Sequence, residues 1–399
     1  MSASIRRRGA LTALLITVFI DMVGFGIIIP FTPFWAEKFG AGPGLVTLLF
    51  ATYSIFSFAS SFLWGWASDR WGRKPIMLLS LTGSVLSFLW LGFSDALWML
   101  FAARALGGAF GANVSVGQAY IADVTPPESR AKALGLFGAA FGLGFTLGPA
   151  IGGLLAGPDP ANPDFQTPFF AAAGISFIGV IFGAVFLSEP ARGGKDRPHQ
   201  RALERLSGFS KVLANPVVGG AVACVTMMGF VMGGLESTFA IWTERVVQWG
   251  PRETGYFFAY LGVLLVIVQG GLIGVLVKRL GEARLAPAGI LVMAAGIGML
   301  PWCGTVPLIV IAGALICLGF GLGQPSLNAL VSRNAPADSQ GAILGASQSA
   351  QSLARILGPT TAGFLFAFHG KDSPYIMGAV VLVAAFLVAL ATLLGRRSR

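Results

Sequence analysis

Charge is scarce in this chain of 399 residues: Lys, Arg, Asp and Glu together make up 11%, against roughly 25% in an ordinary soluble domain. Histidine is scarcer, and His199 and His369 lie far apart in polar loops. The three cysteines, Cys224, Cys303 and Cys317, sit singly in apolar runs and form no C-x-x-C pair. They read as small buried hydrophobes, and no metal site is expected. Catalytic signatures are missing too. There is no H-E-x-x-H, no G-x-S-x-G and no paired acids at one helix end, so a membrane enzyme is disfavoured. There is no G-x-x-x-x-G-K-[ST]; Gly193-Gly194-Lys195-Asp196 lacks both the loop and the hydroxyl. An ATP-driven pump is therefore excluded, no cofactor is expected, and any energy input must come from an ion gradient.

What is present is apolar. Hydrophobic residues make up 55% of the chain, more than one soluble core can hide, because burial is limited by surface-to-volume scaling. Lipid has to cover the rest. Twelve runs approach the roughly 20 residues that a helical span needs. They are Leu11–Trp35, Leu45–Trp66, Ile76–Phe93, Leu97–Tyr120, Ala133–Ala156, Pro168–Leu187, Val217–Trp242, Tyr256–Val277, Leu285–Cys303, Pro307–Val331, Ala342–Phe368 and Tyr375–Leu394. Backbone groups in lipid must pair within their own segment, so these runs are expected to be helices. The first continues past Asp21 and reads as a span, not a cleaved leader. The expected class is an all-α polytopic membrane protein.

Charge placement orients it. Twenty-one of the 27 Lys and Arg fall on one side of the twelve spans, among them Arg6–Arg8, Arg73, Lys74, Arg130, Lys278, Arg279 and Arg396. That asymmetry puts both termini in the cytoplasm of a cell membrane protein. The net charge of +10 is thus topological, and no nucleic-acid partner is expected. The longest hydrophilic stretch, 189–215, separates a bundle over 1–188 from one over 216–399. Within it Leu203, Leu206, Phe209 and Leu213 recur at helical spacing, as in a short amphipathic helix on the inner membrane face; a disordered linker reads almost as well.

The halves repeat. Gly65–Gly72 pairs with Gly274–Gly281 at an offset of about 209 residues, and Gly148-Pro149 with Gly358-Pro359 at 210. Each half therefore carries six spans in the same topology. Two pseudo-symmetric six-helix bundles are expected to enclose a binding site near the midplane and to work by alternating access.

Three motifs add a family. They are Gly65-x-x-x-Asp69-Arg70-x-Gly72-Arg73-Lys74-Pro75 between spans two and three, Leu100-x-x-x-Arg104-x-x-x-Gly108-x-x-Gly111 in span four, and Gly144-x-x-x-Gly148-Pro149-x-x-Gly152-Gly153 in span five. Span one adds Asp21-Met-Val-Gly24-Phe-Gly26-x-x-x-Pro30. With these residues the chain resembles the major facilitator superfamily, and within it the drug:proton antiporters of the tetracycline-efflux type. The resemblance implies the major facilitator fold and proton-coupled efflux of a small hydrophobic solute, and the span-five pattern looks like the antiporter signature. The polar positions of tetracycline pumps in spans three, eight and nine correspond here to Ser87, to Leu264-Leu265-Val266 and to no carboxylate in Ala286–Met299. The solute is left open. A proton-coupled uptake symporter and a membrane receptor or scaffold are the alternatives. A monomer is expected.

Site residues follow from cost. Asp21, Arg104, Glu236 and Arg355 are charges inside spans, each unfavourable by roughly 2.5–3.5 kcal/mol even on mild scales. They should face the cavity or one another. Burial raises a carboxyl pKa and a nearby cation lowers it, so Asp21 is the candidate for reversible protonation. Arg104 is its expected partner or a hydrogen-bonding hub, and Glu236 is a partner for Arg355, a contact for a cationic substrate or a second proton site. Phe25, Asn113, Gln118, Gln324 and Asn328 complete the expected substrate cavity. Gly65, Asp69, Arg70, Gly72 and Arg73 are expected to latch the bundles, although the basic residues also serve as topological anchors. Gly144, Gly148, Gly152 and Gly153 are read as lining one helix face at four-residue steps, which permits close helix contact, and Pro149 removes a backbone donor and promotes a kink.

Overall fold

The computed structural model describes residues 3–111, 113–157, 163–190, 212, 215–336 and 340–394. Among them all regular structure is helical. Eleven helices are long and apolar enough to cross a membrane. They account for eleven of the twelve expected spans. The remaining one is α14 (Gln340–His369), long enough to cross but carrying Gln348, Gln351, Ser352 and Arg355. The proposed amphipathic helix around Leu203–Leu213 lies outside the described residues.

In the first half the helices are α1 (Ala3–Ile28), α2 (Thr32–Lys38), α3 (Pro43–Trp71), α4 (Arg73–Gly92), α5 (Leu97–Ala109), α6 (Asn113–Val124), α7 (Pro127–Leu155) and α8 (Gln166–Phe186). Next come α9 (Pro216–Val247), α10 (Pro251–Ile267), α11 (Ile273–Leu280), α12 (Glu282–Met299), α13 (Val306–Asn334), α14 and α15 (Ser373–Ala389). Span nine ends in a 3-10 turn at Leu300–Trp302 and span twelve in a π turn at Leu390–Leu394, and three other spans are interrupted or bulged along their length. Span one stops at Ile28 and restarts as α2, because Pro30 lacks an N–H and Pro33 suits a first helical turn. Span four leaves the helix at Phe110 and Gly111 and is helical again from Asn113. Span eight is continuous but contains a π turn at Val268–Leu272, where Gly270 and Gly271 sit.

The chain forms two compact units, Met1–Gly194 with Gln248–Val263, and Lys195–Val247 with Leu264–Arg399. Each repeats the other's packing. In the first, α1 lies on α7 and α8, and α4 on α5 and α8; in the second, α9 lies on α14 and α15, and α12 on α13 and α15. Small residues set the closeness. A Cβ on Gly148 would lie 2.6 Å from Gly26 Cα, and one on Gly358 would lie 2.3 Å from Phe230 O. The helix backbones touch there, which side chains would forbid.

The turns between spans two and three and between spans eight and nine also match. Gly72 and Gly281 both hold a positive φ, 110° and 75°, where a side chain would be strained. Beside each turn an ion pair joins the start of one helix to the end of another, with its signs reversed between units. In the first, Arg73 of α4 meets Asp123 of α6 at 2.9 Å. In the second, Glu282 of α12 meets Arg333 of α13 at 2.6 Å. The repeat preserves the pairing and exchanges the charges.

Glu189, just past α8, caps α4. Its two oxygens accept from Arg73 N at 2.7 Å and Lys74 N at 2.8 Å. Those N–H groups have no intrahelical acceptor, and the helix dipole favours an anion beside them. Glu189→Ala is expected to destabilise the unit by about 1 kcal/mol, the usual scale for a lost cap. A lowered thermal unfolding midpoint of the purified protein would register it, with no fall in membrane insertion.

Candidate functional site

α1 carries Asp21 to mid-span, where it is 3% exposed. Asn113, the first residue of α6, donates from Nδ2 to Asp21 Oδ2 at 2.7 Å. Asn113 reaches the carboxylate because span four restarts there: α6 presents its first turn to α1. Arg104, one helix earlier on α5, is 4% exposed. Its guanidinium is packed among rings, 4.6 Å from the centre of Tyr53, 5.7 Å from Phe50 and 6.0 Å from Phe25. Cations are attracted to ring faces most strongly when water is kept away. Asp21, Phe25, Tyr53, Ser84, Arg104 and Asn113 line one chamber of about 30 Å³ inside the first unit.

Asp21, Arg104, Phe25 and Asn113 of the expected cavity are therefore brought together. Asp21 takes its hydrogen bond from Asn113, while aromatic rings enclose Arg104. Gln118 is one turn further along α6 and exposed, as is Asn328 on α13; Gln324 is half-buried. In the second unit Glu236 is half-buried on α9 and Arg355 is exposed on α14. Tyr53 and Phe50 escape notice in the sequence, although a tyrosine in the apolar run Leu48-Leu49-Phe50-Ala51-Thr52-Tyr53 is a signal of a kind.

At the turn between α3 and α4, Arg73 gathers its neighbours. It meets Asp69 at 2.7 Å, Ser68 Oγ at 2.6 Å and Asp123 at 2.9 Å. Arg70 points elsewhere and lies over the Trp66 ring at 5.6 Å. Gly65 borders open space, while Gly72 adjoins the Glu189 carboxylate. Asp123 and Glu189 carry no local signature in the sequence, since each meets Arg73 from a distant span.

Gly144, Gly148 and Gly152 sit against α1, facing Phe19 O, Val23 O and Ile27 O in turn. The Pro149 ring lies 3.1 Å from where a Cβ on Gly26 would stand. Gly153 faces another way, toward Arg252 and Gly255 of α10.

The family model for the Major Facilitator Superfamily matches residues 14–359 and 272–399. The class C tetracycline resistance protein of Escherichia coli is 29% identical, with 97% of each chain covered. Multidrug resistance protein 2 of Bacillus subtilis (strain 168) is 28% identical over 93% of this chain and 92% of that one. Among solved structures, a bacterial homolog to the human lysosomal transporter Spinster superposes with a TM-score of 0.80 at 16% identity, covering 98% of each chain. A multi-pass helical chain built from two copies of one six-span pattern and matched by that model along nearly its whole length belongs to the Major Facilitator Superfamily, a family of transporters and not of enzymes.

Proposed function

We propose that this protein is a secondary active transporter that exports a hydrophobic, drug-like solute in exchange for protons, with Asp21 taking up and releasing the proton. One observation carries the reading: a carboxylate almost wholly buried in a membrane span shares a chamber with an arginine held by aromatic rings. Charges at such depth are kept where they are used. The tetracycline- and multidrug-resistance relatives support the solute class.

Size separates the proton site from the solute site. Pockets for drug-sized ligands run to roughly 300–1,000 Å³, and the Asp21 chamber has about 30 Å³. It suits protons and water. Contact with the solute is assigned instead to Phe25, at the chamber wall, and Gln118 in the first unit, and to Glu236, Gln324, Asn328 and Arg355 in the second unit taken by itself. A proton arriving from outside neutralises Asp21, Arg104 loses its counter-charge, and the solute is released; deprotonation toward the cytoplasm resets the site. Asp69, Arg70 and Arg73, set among Gly65 and Gly72, act as a latch. Gly144, Gly148, Pro149 and Gly152 form the packed line along which α1 and α7 stay together. The moving bodies are 1–188 and 216–399, joined by 189–215, in a monomer with both termini cytoplasmic.

Inside-out membrane vesicles test this directly. With an acid interior and no ATP, a lipophilic fluorescent cation is expected to accumulate inside while the pH gradient collapses. Movement of solute and protons in the same direction would make the protein a symporter and overturn the exchange. A drug-susceptibility panel, with the Asp21→Asn strain as control, then narrows the solute.

A further inference from the structure

Span four is interrupted where its counterpart is not. α5 ends at Ala109 and α6 begins at Asn113, while α13 runs unbroken from Val306 to Asn334. The repeat offset maps Asn113 onto Gly323, in the interior of α13. The architecture therefore does not require the break. It frees carbonyl groups at the end of α5, and such groups need partners when buried. Gly111 N donates to Gly108 O at 2.9 Å, and four side chains from α3 and α4 add donors around the interruption. Ser60 Oγ donates to Gly108 O at 3.1 Å, Trp64 Nε1 to Ala109 O at 2.6 Å and Ser57 Oγ to Gly111 O at 3.5 Å. Ser80 Oγ donates to Phe110 O. Four donors committed to one interruption mark it as built.

Beside the interruption is the chamber. Asp21, Arg104 and Asn113, which line it, are 3%, 4% and 5% exposed. The Ser84 hydroxyl also acts on the Asp21 carboxylate, yet each of the three residues has one polar atom that no protein group meets at hydrogen-bond distance: Asp21 Oδ1, Arg104 Nε and Asn113 Oδ1. They comprise two acceptors and one donor. A bare cation would satisfy the two oxygens, but it would face the Arg104 charge and leave Nε–H unmet. An anion would face Asp21. A water molecule both donates and accepts, and needs two to four polar partners and roughly 10–15 Å³ of accessible space. About 30 Å³ is present, enough for two.

We propose that the break in span four is a water site: two ordered waters join Asp21 Oδ1, Arg104 Nε and Asn113 Oδ1, and Asn113 is the positioning residue that holds the carboxylate against them. The second unit, with its unbroken α13, has no equivalent of this break. Proton exchange is thereby confined to one bundle, a consequence that rests on the transport reading above. The water site itself does not.

Two measurements on the full chain in lipid nanodiscs decide it. The first is a high-resolution map of the wild type and of Asn113→Leu. Two water peaks within hydrogen-bond reach of the three atoms are expected in the wild type, and one or none in the variant. A dry chamber in a map that shows other buried waters overturns the site, and so does a single metal ion there. The second is export as a function of pH in proteoliposomes. Asn113→Leu is expected to displace the half-maximal pH by about one unit, a tenfold change in proton concentration. Asn113→Ser, which keeps a donor and an acceptor, should restore most of that displacement. Equal loss at every pH in both variants, with the midpoint unmoved, leaves Asn113 a merely structural role and overturns the positioning claim. If the wild type exchanges no protons at all, the transport reading fails while the map still judges the water site.

Discussion

Gly148→Leu is expected to abolish transport while the protein still inserts in the membrane. A Cβ at Gly148 would stand 2.6 Å from Gly26 Cα and 2.6 Å from Val23 O. Both are backbone atoms of α1, so no rotamer change relieves the clash and the two helices must separate. Overpacking typically costs about 1–3 kcal/mol, and at a backbone-to-backbone contact the upper end applies. Each span remains apolar, so insertion survives. Separation along this line also shifts Asp21, which lies on α1 within about one and a half turns of the contacted Val23 and Gly26, relative to Asn113. Gly138 and Gly142 provide the control on the same helix, since a Cβ at either meets nothing within 4 Å. Gly142→Leu should transport normally. Quantifying membrane abundance beside vesicle transport separates the outcomes. Normal transport by Gly148→Leu would show that the α1–α7 contact is dispensable.

Asp21→Asn is expected to reduce proton-driven export to background and to weaken solute binding, since the side chain is then fixed in the neutral form that releases the solute. The two side chains have the same shape, and Asn113 Nδ2, now 2.7 Å from Asp21 Oδ2, could still donate to the new amide oxygen. What disappears is the ability to change charge. Arg104 then keeps its aromatic surroundings but has no titrating neighbour in the chamber. Binding should therefore weaken at every pH, and a pH gradient should no longer drive accumulation. Inside-out vesicles loaded with a pH-sensitive dye report both properties. Full gradient-driven export by this variant would remove Asp21 from the mechanism.

The two sites differ in how much of them could be read in advance. Asp69, Arg70 and Arg73 stand within one short motif, and charge at a span end is visible in any hydropathy reading. Even so, their partners were not visible. Arg73 meets Asp123 across 50 residues and its helix is capped by Glu189 across 116. Asp21 stood out because an acid in a span is costly. Its bond to Asn113, 92 residues away, did not, nor did the rings of Phe25, Phe50 and Tyr53 that enclose Arg104. The repeat foretold the matching glycine contacts at Gly148 and Gly358, but not the reversal of charge between Arg73–Asp123 and Glu282–Arg333.

Hydropathy and the spacing of glycine and charge were sufficient to establish a helical membrane protein of two repeated halves and its family. Lipid imposes those constraints on each segment separately: apolar length, internally paired backbone and sparing use of charge. Which buried groups share a chamber, where span four parts and who satisfies the freed carbonyls depended on tertiary packing. Those relations join side chains from different spans, and no property of a single segment encodes them.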